Sequence, residues 1–294
     1  MNNRKNKKPL ITKENGIPPN FTLSIADITI NIQCPGLKFF RKIYKHYSHF
    51  LSSEKPEFEF LVFPEPNMKG ITTPLTLKKH SENSYRLEGA MTGIISLKKC
   101  TAEIHLPADA VVFDGLLRMI LGALILEKGG LLLHASGVIR RNLAWVFFGP
   151  SESGKTTITK LCLSDPVLSD EIVAIRKDSA ERYIAYATPF HGKWKSGTNI
   201  PPAHLAALFY PVKSSILSVH KIPAPDAVKL ILPQVIMHPK IEKSPEHALE
   251  NVACLVDKIP CYSLKFLLDH PLGDLIDKLA DKGVALTTGR MERS

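Results

Sequence analysis

Six apolar residues, Leu143–Phe148, run directly into Gly149, Pro150, Ser151, Glu152, Ser153, Gly154, Lys155, Thr156 and Thr157. The spacing G-x-x-x-x-G-K-T, behind a strand and ahead of a helical stretch at residues 156–163, is that of a phosphate-binding P-loop. Few folds accommodate it. Glycines let the backbone curl until several N–H groups point at one anion. The following helix adds the positive end of its dipole. In this arrangement the residues 149–157 cradle a nucleoside triphosphate. Lys155 reaches the β- and γ-phosphates, and the Thr156 hydroxyl ligates Mg2+. The motif predicts ATP and Mg2+ as ligands, although no base-recognition motif separates ATP from GTP.

The residues before the loop narrow the architecture further. Residues 131–139 read as a strand and Arg140-Arg141-Asn142 as a tight turn into Leu143–Phe148. A three-residue connection cannot make a parallel crossover, which needs a dozen or more residues. The two strands therefore form an antiparallel hairpin, whereas most P-loop NTPases place the loop strand in a largely parallel sheet. Beyond the loop, Pro166 stops a short helix. Residues 167–175 read as a strand bearing Asp170 and Glu171, and residues 183–187 as its hairpin partner. Residues 205–210 read as a buried strand and 226–235 as a helix despite Pro233. Residues 245–259 and 270–282 read as amphipathic helices around a strand at 262–266.

A phosphate cradle alone binds. Transfer also needs a metal held from a second side and a group that orients or deprotonates the acceptor. Asp170 is assigned as the Mg2+ partner, with Thr156, and Glu171 as the base. Adjacent residues of a regular strand point to opposite faces. Both carboxylates converge only if a turn or bulge near Ser169 interrupts the strand. His134 lies on the strand paired with the one that feeds the loop, and in that register it approaches the phosphates; the competing reading is a satisfied core histidine. The segment 188–197 contains His191, Lys193 and Lys195. It reads either as a clamp that neutralises developing charge or as a basic surface loop.

The rest of the chain bounds the problem. Of 294 residues, 44% are hydrophobic and 22% charged, the composition of a soluble globular protein. Residues 1–19 form a basic arm read as a disordered, solvated tail. The net charge of +10 suits anionic ligands, but no basic and aromatic residues interleave as on a nucleic-acid platform. Residues 21–107 are mostly strand-like, as in an antiparallel sheet, with one helical segment at 37–51. That β-rich region either holds a partner or serves only structure. Residues 110–126 are the most apolar stretch, yet they contain Asp114 and Arg118, so they read as a buried helix and not as a membrane span. His46 and His49 read as a surface pair and not as metal ligands. Five cysteines at irregular spacing, with no C-x-x-C, indicate reduced thiols. With no apolar leader segment at the N-terminus, the expected location is cytoplasmic.

The order His134, Gly137, hairpin, Gly149 to Thr156, short helix, then Asp170-Glu171 resembles the catalytic domain of HPr kinase/phosphorylase and the looser group of HPr-kinase-like proteins. The likeness is specific over residues 131–170 and weak beyond. It implies a P-loop in a mixed sheet shared with phosphoenolpyruvate carboxykinases, and phosphorylation of a serine with ATP and Mg2+. His134 matches the family's histidine before the loop. Gly149, Gly154, Lys155 and Thr156 match the loop itself. Asp170 matches the first of two consecutive aspartates, and Glu171 stands where the family has the second, its base, one methylene longer. The family's glutamate-isoleucine-arginine-glycine signature is absent, which argues against HPr as acceptor and against phosphorolysis.

The expected protein is α/β. A basic arm (1–19) precedes a β-rich α+β domain (20–108). An HPr-kinase-like P-loop domain with a mixed sheet (109–284) and a tail (285–294) follow. The expected activity is transfer of the γ-phosphoryl group to a serine of a peptide or protein, or to free serine. The alternatives are a non-catalytic nucleotide-binding module and a plain NTPase. By analogy a homo-oligomer is expected; neither a membrane nor a specific nucleic acid is an expected partner.

Overall fold

The computed structural model describes residues 19–65, 68, 75–162, 165–192, 200–267 and 272–281. Residues 1–18 of the basic arm, Lys193, Lys195 and the tail lie outside the described residues. The chain is α/β, with two mixed sheets of parallel and antiparallel strands. It divides into two compact units, residues 1–115 and 116–294.

The first unit runs β1 (Asn20–Ile25), β2 (Ile28–Gln33), α1 (Leu37–His46), β3 (Leu51–Ser52), β4 (Phe58–Glu65), β5 (Thr76–Ser81), β6 (Ser84–Glu88), β7 (Thr92–Ser96) and β8 (Thr101–Pro107). The sheet order is β3-β1-β2-β4-β8-β7-β6-β5. The purely antiparallel pattern expected from the sequence does not hold, because β2–β4 and β4–β8 pair in parallel. Two excursions bring the chain back to the same end of the sheet: α1 with β3 between β2 and β4, and the antiparallel strands β5 to β7 between β4 and β8. Helix α1 stops earlier than the apolar pattern suggested. Tyr47 is buried, and residues 48–50 tighten into a 3-10 turn that delivers β3 to β1.

Helix α2 (Ala110–Glu127) contains the division between the units. Among the described residues no helix is long and apolar enough to cross a membrane. The second unit continues with β9 (Leu131–Arg140), β10 (Leu143–Phe148), α3 (Lys155–Leu161), β11 (Val167–Ser169), β12 (Ile172–Lys177), β13 (Tyr183–Tyr186) and β14 (Ala203–Lys213). It ends with β15 (Ser218–Lys221), α4 (Ala224–Ile231), α5 (Ser244–Lys258), β16 (Cys261–Phe266) and α6 (Gly273–Asp281).

Strands β9 and β10 form the antiparallel hairpin expected from their short link. Arg141 and Asn142 both have positive φ, 53° and 61°, as a two-residue type I′ turn requires. Strand β10 is not an edge. Its second neighbour is β14, in parallel. Pairings β10–β9, β9–β12, β12–β13, β13–β14 and β14–β10 close a ring of five strands, and β16 and β15 extend from β14. Both faces of β10 are covered. Ala144, Val146 and Phe148 enter a core shared with Ile231 of α4 and Val252 and Leu255 of α5. Trp145 and Phe147 enter another, shared with Ile158 of α3 and Leu275 and Ile276 of α6. A strand covered on both sides is apolar at successive positions, and it delivers residues 149–157 from a rigid base.

One ion-pair network ties this base together. Arg140 donates Nε and Nη2 to the two oxygens of Asp277, at 2.9 and 2.6 Å, and Nη1 to both oxygens of Asp165, at 3.1 Å. Hydrogen bonding to Asp277, and then the pairing with Asp165, raises the proton affinity of the guanidinium. The same contact with Arg140 lowers that of Asp277. Arg140→Ala is expected to lower the melting temperature by about 2–4 °C at low salt, the scale of a forked, half-exposed ion pair in a domain of this size. The difference from wild type should shrink at 1 M salt, and also as pH falls below the ordinary aspartate range and the depressed Asp277 carboxylate protonates. A melting series across salt and pH checks both.

Candidate functional site

The site is built around β9. On one side Ala135 pairs with Phe148, the residue just before the glycine-rich segment. On the other side its N–H donates to the carbonyl of Glu171 at 2.9 Å. The start of the loop and the Glu171 backbone are thus two strand spacings apart, about 10 Å.

In residues 149–157 the backbone curls with positive φ at Gly149 (150°), Glu152 (66°) and Gly154 (105°). Lys155 begins α3 and is only 6% exposed. Its Nζ donates to the carbonyls of Gly149 and Pro150, at 2.6 and 2.8 Å. Burial pulls its pKa down from 10.5 to about 8. Among the described residues it forms no ion pair with a carboxylate. Its own carbonyl accepts from Ser136 Oγ (3.3 Å) and Thr159 Oγ1 (3.1 Å), which fixes the backbone beneath the ammonium. Ser153 Oγ is buried without a hydrogen-bond partner, and an orphaned donor in a curled loop is an unmet demand for an acceptor. Pro150, Ser151 and Glu152 are exposed, and Thr156 and Thr157 are half-buried.

Gly154 is a position no other residue fills. A Cβ there would lie 2.5 Å from Cζ of Phe266, which is fully buried, and φ is +105°. Gly154→Ala is expected to cost about 2–4 kcal/mol, combining strained backbone with an overlap in packed surroundings. Urea unfolding measures it.

The acidic residues do not lie within a strand. Strand β11 ends at Ser169 with a register shift against β9, and β12 begins at Ile172. Asp170 and Glu171 occupy the turn between them. Ser169 Oγ accepts from the N–H groups of Glu171 and Ile172, at 3.1 and 3.0 Å, and closes that turn. The unbroken strand expected over 167–175 is therefore replaced by two strands and a bend. The interruption at Ser169 brings both carboxylates to one place: a Cβ on Gly192 would sit 3.1 Å from Asp170 Oδ2 and 3.3 Å from Glu171 Oε2. Asp170 is 4% exposed, and its Oδ1 accepts from the Gly192 N–H at 2.8 Å. The segment 188–192 is pinned against the turn by two further bonds, Ser169 Oγ to the Phe190 carbonyl (3.1 Å) and Thr188 Oγ1 to the Ile172 carbonyl (2.6 Å).

His134 pairs with Ile172 across β9 and β12. Burial, then the positive charges of Lys155 and Arg118, hold its pKa below the usual 6.5, and Glu171 opposes them. The imidazole is neutral at physiological pH. Arg118 was legible in the sequence only as a charge in an apolar helix. Its Nη1 donates to Glu171 Oε1 at 2.8 Å. Together these contacts gather the glycine-rich loop, His134, Asp170, Glu171 and Arg118 around one strand. His191 follows Phe190 in the pinned segment, and the rest of the basic loop, residues 193–199, lies outside the described residues.

No family model matches the chain, and no curated protein matches it.

Proposed function

We propose that the protein is an HPr-kinase-like phosphotransferase. It transfers the γ-phosphoryl group of ATP to the hydroxyl of a serine, in a peptide or protein or as the free amino acid. One juxtaposition carries this reading. A buried ammonium without a carboxylate partner among the described residues sits across β9 from two carboxylates that both approach Gly192. Burying a cation in this way is costly unless an anion arrives to meet it.

The residues fit the ligands. Lys155, Ser153 and the loop amides take phosphate oxygens. Thr156 and Asp170 would hold Mg2+, which when bound would neutralise charge developing on the phosphates. Mg2+ keeps several waters and takes few protein ligands beside phosphate. Two protein oxygens therefore suffice, and among the described residues no larger group of histidine, cysteine, aspartate and glutamate gathers. Glu171 Oε2 accepts the acceptor's hydroxyl proton as its oxygen bonds to the γ-phosphorus. The bond to the β-phosphate oxygen breaks, and ADP leaves with that electron pair. Because the transition state for phosphoryl transfer is loose, a carboxylate that orients the hydroxyl is sufficient. Neutral His134 adds a hydrogen-bonding group beside Lys155 without a further charge.

The test is incubation with γ-labelled ATP, Mg2+, free serine and serine-containing peptides. Label transferred to an acceptor is the expected result. Hydrolysis that no acceptor stimulates would indicate an NTPase, and binding without turnover a regulatory module.

A further inference from the structure

Arg118 is the sole cation of α2, and its neighbours Leu116, Leu117, Ile120 and Leu121 are buried. At least two groups hold its guanidinium. Nη1 donates to Glu171 Oε1 at 2.8 Å, and Cζ lies 5.0 Å from the centroid of the buried Phe190 ring. Phe190 belongs to the segment 188–192, which bonds between Ser169 and Phe190, Thr188 and Ile172, and Gly192 and Asp170 pin against the acidic turn. The groups that shape the turn therefore also fix the guanidinium beside it.

We infer that Arg118 is a positioning residue for the transfer reaction. It occupies Oε1 of Glu171 and so aims Oε2 into the space beside Asp170 and Gly192, where the acceptor hydroxyl is received. The inference rests on the reading of Glu171 as the base. Glutamate is long and rotamer-rich, and Glu171 retains 31% side-chain exposure on a turn. Left alone, its carboxylate would sample several directions, and restraining it would cost side-chain entropy at each turnover. A planar guanidinium stacked on an aromatic ring is a fixed donor, which a lysine ammonium is not. The pair also accommodates the extra methylene of glutamate relative to aspartate: the longer side chain is tethered at one oxygen and presents the other.

Five proteins test this: wild type, Arg118→Gln, Glu171→Gln, the double variant, and Arg118→Lys as the conservative control. The probes are γ-labelled ATP with Mg2+ and pooled serine peptides for transfer, and a fluorescent ATP analogue for binding. Arg118→Gln should lower kcat about 10- to 100-fold, with KM for ATP and analogue affinity within about twofold of wild type. Arg118→Lys should recover part of the loss. In the Glu171→Gln background, Arg118→Gln should cost nothing further, because the residue acts through Glu171. Equal losses in both backgrounds, an unchanged kcat, or a change confined to nucleotide affinity would each overturn the assignment. If Arg118→Gln fails to fold, Arg118→Lys alone must show the kcat loss at constant KM. Wild-type protein without transfer, or full transfer by Glu171→Gln, overturns the base assignment itself, an outcome separate from additivity.

Discussion

If the proposed transfer is correct, Lys155→Met is expected to remove most nucleotide turnover without lowering stability. The expected loss in kcat/KM is about 100- to 1000-fold, the scale for deleting one preorganised charge that meets developing negative charge. Stability should move the other way. A lysine whose pKa falls from 10.5 to about 8 is penalised as a cation by roughly 3 kcal/mol in the folded state. Two hydrogen bonds, to the carbonyls of Gly149 and Pro150, offset part of that penalty. Methionine keeps the stem and discards the buried charge. The pH dependence follows from the direction of the shift. Below pH 8 both the folded and unfolded wild-type chains hold the proton, and the penalty is fully present. Between about 8 and 10.5 the unfolded chain binds more protons than the folded one, so wild-type stability rises with pH and the gap to the variant closes. Turnover of γ-labelled ATP at pH 7, and melting curves at pH 7 and 10, measure both effects. A variant that turns over ATP as wild type does would remove Lys155 from the site. A variant melting well below wild type would show that the ammonium stabilises the fold.

The local half of this architecture was readable. A three-residue link dictates the β9–β10 hairpin, and Pro166 sets a limit on the helix after the loop. The need for a turn near Ser169 followed from the alternation of side chains along a strand. What was not readable is long-range. The parallel pairing of β10 with β14 joins Leu143 to His204 across an intervening hairpin, and nothing in either strand's composition announces its partner. In the first unit, β2, β4 and β8 pair in parallel although their alternating patterns look like those of antiparallel strands. A one-sided sheet shows the same period of two in either case. Strand β15, four residues with two exposed, falls below any periodic signal. Arg118 and Glu171 are separated by 53 residues. The usable hint was energetic: an arginine in the middle of an apolar helix must find a partner, because leaving it unpaired in the interior is costly. Phe266, which closes the space behind Gly154, carried no such hint, since a phenylalanine in a strand is ordinary core.

Asp170→Asn should leave the fold intact and reduce Mg2+-dependent transfer about 1000-fold. The two expectations separate because the Gly192 contact and the proposed metal contact ask different things of the side chain. Its Oδ1 accepts the Gly192 N–H at 2.8 Å and tethers the segment 188–192 to the acidic turn. An asparagine carbonyl oxygen accepts the same bond in the same place. The charge is what asparagine lacks, and a hard cation such as Mg2+ requires it. Asp170→Ala removes both the tether and the charge. It strands the Gly192 N–H beside a side chain that was 4% exposed, and should cost a further 1–3 kcal/mol or about that in stability. Melting curves for the two variants, set beside Mg2+ titrations of transfer and direct Mn2+ binding in the presence of an ATP analogue, resolve the roles. Asparagine with wild-type metal dependence would reduce Asp170 to a tether and leave Thr156 without its proposed partner. Asparagine that melts as alanine does would mean that the charge, and not the hydrogen bond, organises the turn. The expected pattern lies between them: a folded protein that still binds the nucleotide through Lys155 but no longer recruits the ion. That pattern is specific to a carboxylate placed for chemistry at the end of a strand, because a carboxylate serving only the fold would lose little when its acceptor oxygen is kept.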